Sequence, residues 1–264
     1  MKHFEDFENT IKNNTFSDDL IWNTDETAID FNDFNESIAC YNCDERPFVQ
    51  QAQIREHLTI SLFVSASGEY LKPLIIYPLI HNPPVPDYLK DKFHVAGQDN
   101  GWMTGPIFVN FIENVFIPHI EEKRRKANEN LPALLIADNH SSRKALEESR
   151  LLDRYNIKLF LLPPHTSHIT QPLDLSVNGL FKSVLKSKMH YLKANDDSAT
   201  DFRAKLMDIS FRSLSRALNY DTIRTGWERS GLSPFNRMVI ESNNLIVNEN
   251  CPIIGLSENK KRKR

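Results

Sequence analysis

Ala133-Leu-Leu-Ile-Ala-Asp138-Asn-His-Ser-Ser142 is the stretch on which the reading of this chain turns. Residues 131–137 are apolar almost throughout, as expected of a strand covered on both faces, and the run ends in a carboxylate. Residues 142–155 follow with Leu146, Leu151 and Leu152 at helical spacing. Ile157-Lys-Leu-Phe-Leu-Leu162 is then a second strand, stopped by Pro163-Pro164. A crossover of that length makes the two strands parallel. In open α/β sheets the ligand crevice lies beyond the carboxyl ends of the strands, where Asp138 sits. Capping of the helix that begins near Ser142 is the alternative role for this residue.

Working outward, Gln171-Pro-Leu-Asp174 opens a helix read over 172–193. At about 100° per residue, Asp174 falls inside the apolar arc of Leu173, Val177, Phe181, Val184 and Leu185, which also takes in Leu180. Lys182, Lys186 and Lys193 lie opposite, on a face that suits solvent or a DNA backbone. A carboxylate turned toward a core needs a partner or a metal, and its place in a first helical turn lowers that cost.

Upstream, 20–27 reads as a short strand closing on Asp25 and Glu26, with Glu26 directed to the opposite face. Residues 57–66 and 71–77 form a hairpin about Ser67-Gly68-Glu69. Proline-rich 78–106 reads as a surface insertion and 28–47 as a long loop. From Pro106 a helical pattern runs to Ile120, with Pro118 expected to kink or break it. Lys123-Arg-Arg-Lys126 near its end suits the helix dipole. Residues 200–219 are a further helix, and 223–236 a helix, a glycine stop and a proline turn. Trp102 and Trp227 are read as packing residues.

The composition is that of a globular protein with a sizeable core: 264 residues, 40% hydrophobic. No apolar run approaches the ~20 residues of a membrane span, and residues 1–19 are polar, acidic and expected to be partly loose. Three cysteines argue against a disulfide framework. Cys40 and Cys43 form a CxxC, but with Cys251 alone remaining they are read as incidental thiols. The net charge of −3 is unevenly spread: residues 1–56 hold 13 acids and 4 bases, and the remainder is mildly basic. Lys260, Lys261, Arg262, Lys263 and Arg264 close the chain as a candidate nuclear-import signal or nucleic-acid patch, whence a nuclear location is expected.

Three carboxylates brought together repel one another. Two charges 4 Å apart cost about 4 kcal/mol at an effective dielectric of 20, so such a cluster raises its pKa values or recruits cations. Hard oxygen ligands suit Mg²⁺ or Mn²⁺, and a pair of such ions assists phosphoryl displacement. His165 and His168, in and beside the Pro-Pro loop, are candidates for a phosphate contact.

Taken in order, Asn23-Thr-Asp25-Glu26-Thr27, Val64-Ser-Ala-Ser-Gly68, Gly101-Trp-Met-Thr104, Leu135-Ile-Ala-Asp138-Asn-His-Ser-Ser142, Leu162-Pro-Pro-His-Thr-Ser-His168 and Gln171-Pro-Leu-Asp174 resemble the DDE superfamily endonuclease domain. That domain is the catalytic part of pogo/Tigger-type transposases and their centromere-protein-B-like and Jerky-like relatives. Trp227 to Asn236 resembles the family's C-terminal Gly-x-x-Pro-Phe-Asn signature. The resemblance implies an α/β, RNase H-like fold with a mixed five-stranded sheet flanked by helices, over residues 18–240. An acidic segment (1–17) precedes it and a basic tail (241–264) follows. It implies that Asp25, Asp138 and Asp174 hold two Mg²⁺ or Mn²⁺ ions while water or a DNA 3′-hydroxyl attacks phosphorus in line. DNA is then the partner, with no membrane involvement. Relatives carry N-terminal helix-turn-helix domains that are not seen here, so a separate protein or domain is expected to supply targeting. Many relatives have His where this chain has Arg143. A catalytically silent DNA- or protein-binding relative is the alternative, and an α/β phosphatase using the same carboxylates is the rival from another class.

Overall fold

The computed structural model describes residues 2–12, 15–30, 57–78, 85–164, 166–189 and 199–242. Cys40, Cys43, Cys251, His165, Lys193 and Lys260 to Arg264 lie outside them. The centre is a six-stranded sheet in the order β4-β3-β2-β1-β5-β6. β1 (Ile21–Asp30) pairs antiparallel with β2 (His57–Ser65) and parallel with β5 (Ala133–Ala137). β3 (Leu74–Tyr77) runs antiparallel to β2, β4 (His94–Gly97) parallel to β3, and β6 (Ile157–Leu161) parallel to β5.

The side-chain alternation of the strands divides the core in two. Ile21, Ile29, Ile60, Leu62, Leu134 and Ile136 face one layer, built from α1 (Lys2–Lys12), α7 (Val177–Met189), α8 (Ala199–Ala217) and α9 (Tyr220–Ser230). Trp22, Phe63, Ile76, Ala133 and Leu135 face the other, built from α2 (Gly105–Phe111), α3 (Ile117–Ala127), α4 (Ser142–Ser149) and α5 (Leu151–Arg154). A short α6 (Ser167–Thr170) follows β6.

The structure refines several sequence expectations. The sheet has a sixth strand, β4, inside the region read as an insertion. It is four residues long and edge-placed, so it offers little periodicity to detect. Around Pro118, expected to kink or break the helix, a π turn over Ile112–Phe116 interrupts it between α2 and α3, and Pro118 takes a place in the first turn of α3, where its missing N–H costs least. Arg124, in the basic run and in the last turn of α3, is buried and donates to the carbonyls of Leu131, Tyr155 and Asn156, so beyond suiting the dipole it pins the entrance of β5. Of the N-terminal segment read as partly loose, the described stretch 2–12 is helical. It forms α1, and fully buried Phe7 lies edge-on to Phe160 with centroids 4.8 Å apart. Phe7→Ala is therefore expected to cost about 3 kcal/mol of stability, measured by chemical denaturation.

Candidate functional site

The parallel register between β1 and β5 builds the site. Asn23 pairs with Ile136 and Thr24 with Ala137, so the next residue on each strand, Asp25 and Asp138, emerges at the same level of the sheet. Asp25 points toward the α7 layer and is 8% exposed. Asp138 is half-buried at the mouth of the loop after β5.

Asp174 reaches them by a route that helical spacing does not anticipate. The helix starts at Val177, and Asp174 lies in the run of turns 172–176, where it is exposed rather than turned into a core. Leu180 likewise stands out in solvent. What holds those turns is a buried amide pair. Asn23 donates to the Ile136 carbonyl (3.0 Å) and to Gln171 Oε1 (2.8 Å), and accepts from Leu173 N (3.3 Å). Gln171 in turn donates to the Thr24 carbonyl (3.1 Å). Both side chains are fully buried, so these bonds are made away from competing water. The segment bearing Asp174 is thereby fastened to the two strands bearing Asp25 and Asp138.

Asn178 completes the link. Its Nδ2 donates to Asp25 Oδ2 at 2.8 Å and to Asp174 Oδ1 at 2.9 Å, one amide bridging two carboxylates. The sequence does carry a signal for it, since Asn178 follows Asp174 at the i, i+4 spacing that places side chains together on a helical face. Asn23 and Gln171 stand inside the family-like motifs but have no chemistry of their own to mark them.

Asp25, Glu26 and Asp138 each offer a carboxylate oxygen within 4.8 Å of the others. The Asp25 carboxyl is held well above its ordinary range. Burial is the main cause, the charges of Asp174, Glu26 and Asp138 add to it, and a hydrogen bond from Gln171 opposes it. Glu26 points to the opposite face, as alternation required, and meets Arg143 there.

The remaining candidates divide. Lys182 and Lys186 are exposed on α7, on the side away from buried Phe181 and Leu185. His168 is exposed on α6. Trp227 is buried, as expected, whereas Trp102 is 55% exposed with its ring centroid 4.2 Å from that of His57.

The sequence model of the family described as DDE superfamily endonuclease matches residues 55–227. The chain belongs to that family. A curated relative, the MFS-type transporter clz9 of Cochliobolus lunatus, is 29% identical over 182 residues, which is 67% of this chain and 19% of that protein. Among solved structures, the protein of the Mos1 strand transfer complex superposes with a TM-score of 0.51 at 11% identity, over 92% of this chain and 60% of that one. The Mos1 paired-end complex with Mg gives 0.46 at 14% identity, over 89% and 61%. This chain thus spans about a fifth of its curated relative and three-fifths of the Mos1 chain. The fold, a mixed sheet flanked by helices, is similar to that of the matched part of the protein of the Mos1 strand transfer complex, with six strands where five were expected. Among the described residues no helix is long and apolar enough to cross a membrane.

Proposed function

We propose that this chain is a divalent-cation-dependent DNA strand-cleaving and strand-transferring domain of the transposase type, with Asp25, Asp138 and Asp174 as the cation ligands. The observation that carries the reading is the convergence of these three acids from distant parts of the chain, through the β1–β5 register and the Asn178 bridge. Membership of the endonuclease family and the fold shared with a protein solved in a strand transfer complex support it.

The residues fit a cation. Asn178 Oδ1 is a buried oxygen that accepts no hydrogen bond among the described residues, and buried Asp138 Oδ1 accepts none either, having an ionic contact with Arg143 at 3.3 Å; a bound cation would complete the surroundings of both. Mg²⁺ or Mn²⁺, as a pair in this proposal, would supply Lewis acidity toward the scissile phosphate and its attacking oxygen. The protein's part is positional. Asn178 fixes the spacing of Asp25 and Asp174, and the Asn23–Gln171 pair keeps that spacing registered on the sheet. A proton and a cation compete for the Asp25 carboxylate. Lys182 and Lys186, which are exposed, are assigned to contact with DNA phosphates, as are His165 and His168. Sequence-specific targeting is assigned to a separate protein or domain, and nuclear import to the basic tail.

The test is supercoiled-plasmid nicking in Mg²⁺ or Mn²⁺ beside Asp138→Ala. Nicking by the wild type, reduced about 100-fold or more in the variant, is the expected result. Equal nicking by both would sink the assignment. No nicking by either, alongside a metal-induced rise in melting temperature, would favour the catalytically silent relative.

A further inference from the structure

By proximity alone the cation set would be Asp25, Glu26 and Asp138. The surroundings of Glu26 argue otherwise. Its two carboxylate oxygens both accept from one nitrogen, Nη2 of Arg143, at 2.9 and 2.7 Å. Arg143 has no solvent exposure, and its guanidinium carbon lies 3.9 Å from the centroid of the Phe108 ring. Nη1 donates to Ser142 Oγ at 3.0 Å, and that hydroxyl lies 2.9 Å from His140 Nδ1. The same Nη2 that holds Glu26 is 3.3 Å from Asp138 Oδ1, close enough for an ionic contact but without hydrogen-bond geometry. One fixed cation therefore stands between two of the clustered carboxylates.

We propose that Arg143 is a positioning residue of this site, holding Asp138 for its cation, and that Glu26 is the counter-ion of Arg143 rather than a ligand. The inference rests on the cation-binding reading above. Its physical basis is that a buried guanidinium must be compensated. Glu26 provides that compensation with both oxygens, so ligating a metal as well would draw its charge away from the guanidinium that it neutralises. Strand alternation reinforces the division of labour: Asp25 faces α7 and the Asn178 bridge, whereas Glu26 faces α4 and Arg143. Asp138 sits where β5 gives way to a loop, so it depends on such a contact to keep one orientation, as metal-binding carboxylates depend on their outer partners.

Three variants of the full chain separate the possibilities, read by melting temperature in EDTA and by the Mn²⁺ concentration that gives half of the metal-induced melting shift. Arg143→Met should melt well below the wild type in EDTA, because Glu26 is left buried among like charges. Glu26→Gln joined to Arg143→Met should recover most of that loss, since no buried charge is stranded. It should still need about 10- to 100-fold more Mn²⁺, because Asp138 has lost its restraint. Glu26→Gln alone should keep a Mn²⁺ requirement close to that of the wild type. A Glu26→Gln variant that melts normally in EDTA but needs at least tenfold more Mn²⁺ would make Glu26 a ligand and overturn the proposal. A double variant with normal melting and a normal Mn²⁺ requirement would reduce Arg143 to a structural residue and overturn it equally. Absence of any Mn²⁺ shift in the wild type would bring down the cation-binding reading itself, a result distinct from either of these.

Discussion

Gly226→Ala is expected to lower the melting temperature by roughly 2 to 12 °C, corresponding to about 1–3 kcal/mol of overpacking. A methyl group on Gly226 would lie 2.4 Å from the Pro172 carbonyl oxygen and 2.4 Å from Ser176 Oγ. The hydroxyl can rotate away, but the carbonyl cannot, because Pro172 follows Gln171, whose side chain is bonded to buried Asn23 and to the Thr24 carbonyl. α9 must therefore shift away from turns 172–176, and those turns carry Asp174. The loss should appear twice: as a lower melting temperature in EDTA, and as weaker nicking and a smaller metal shift in the protein that remains folded. Gly179→Ala is the control. A methyl group there would meet nothing within 4 Å, and Gly179 sits exposed within α7, so this change should gain about 0.5–1 kcal/mol. A Gly226→Ala variant as stable as the wild type would mean that the contact between α9 and these turns is loose.

Asp25→Asn should melt higher than the wild type in EDTA at pH 8 and lose the metal-induced rise altogether. The sign follows from the raised pKa. A carboxyl whose folded pKa exceeds its unfolded value destabilises the fold once ionised. That penalty is fully present above the raised folded pKa, diminishes as pH falls through it, and is gone below the ordinary value of 3.8. The advantage of asparagine in EDTA should therefore shrink steadily on acidification. Metal binding by the wild type should weaken over the same window, because proton and cation compete for one carboxylate. The amide can still accept from Asn178 Nδ2, so the bridge to Asp174 need not be lost with the charge. Melting curves over pH 5–8, with and without Mg²⁺, read both trends. A variant that melts lower in EDTA at pH 8 and keeps its metal shift would remove Asp25 from the site. Exposed Asp174 is a poorer place for this experiment, because solvent already screens its charge.

The readability of the chain follows the physics of each signal. β5 is plain because a central parallel strand must be apolar on both faces, and Asp138 is plain because it interrupts that rule at the strand's end. Asp25 is legible only through the family-like motif Asn23 to Thr27, because it lies within β1, which runs on to Asp30, and not at the end of a strand as read. β4 is not, because an edge strand of four residues has too few positions to show a period. Helix boundaries mislead where backbone geometry changes without a change of composition. Turns 172–176 look helical by hydrophobic spacing, yet Asn178 N bonds back five residues to the Leu173 carbonyl, and the regular helix begins only beyond them. The acids of the site are visible singly. Of the groups that organise them, Asn178 has a local signal in its spacing from Asp174, whereas Asn23, Gln171 and Arg143 are silent because their value lies in distant partners, 148 residues away for Asn23 and Gln171, which no local pattern records.

The position of β1 also bears on where this domain can be divided. The family match begins at residue 55, beyond β1, yet β1 is the strand through which the antiparallel and parallel halves of the sheet are joined. A piece excised at that boundary would present the inner edges of β2 and β5 to solvent as two rows of unsatisfied backbone groups, an invitation to self-association. It would also discard Asp25. A self-sufficient fragment has to start ahead of Ile21, and the burial of Phe7 against Phe160 and Phe235 recommends keeping α1 as well.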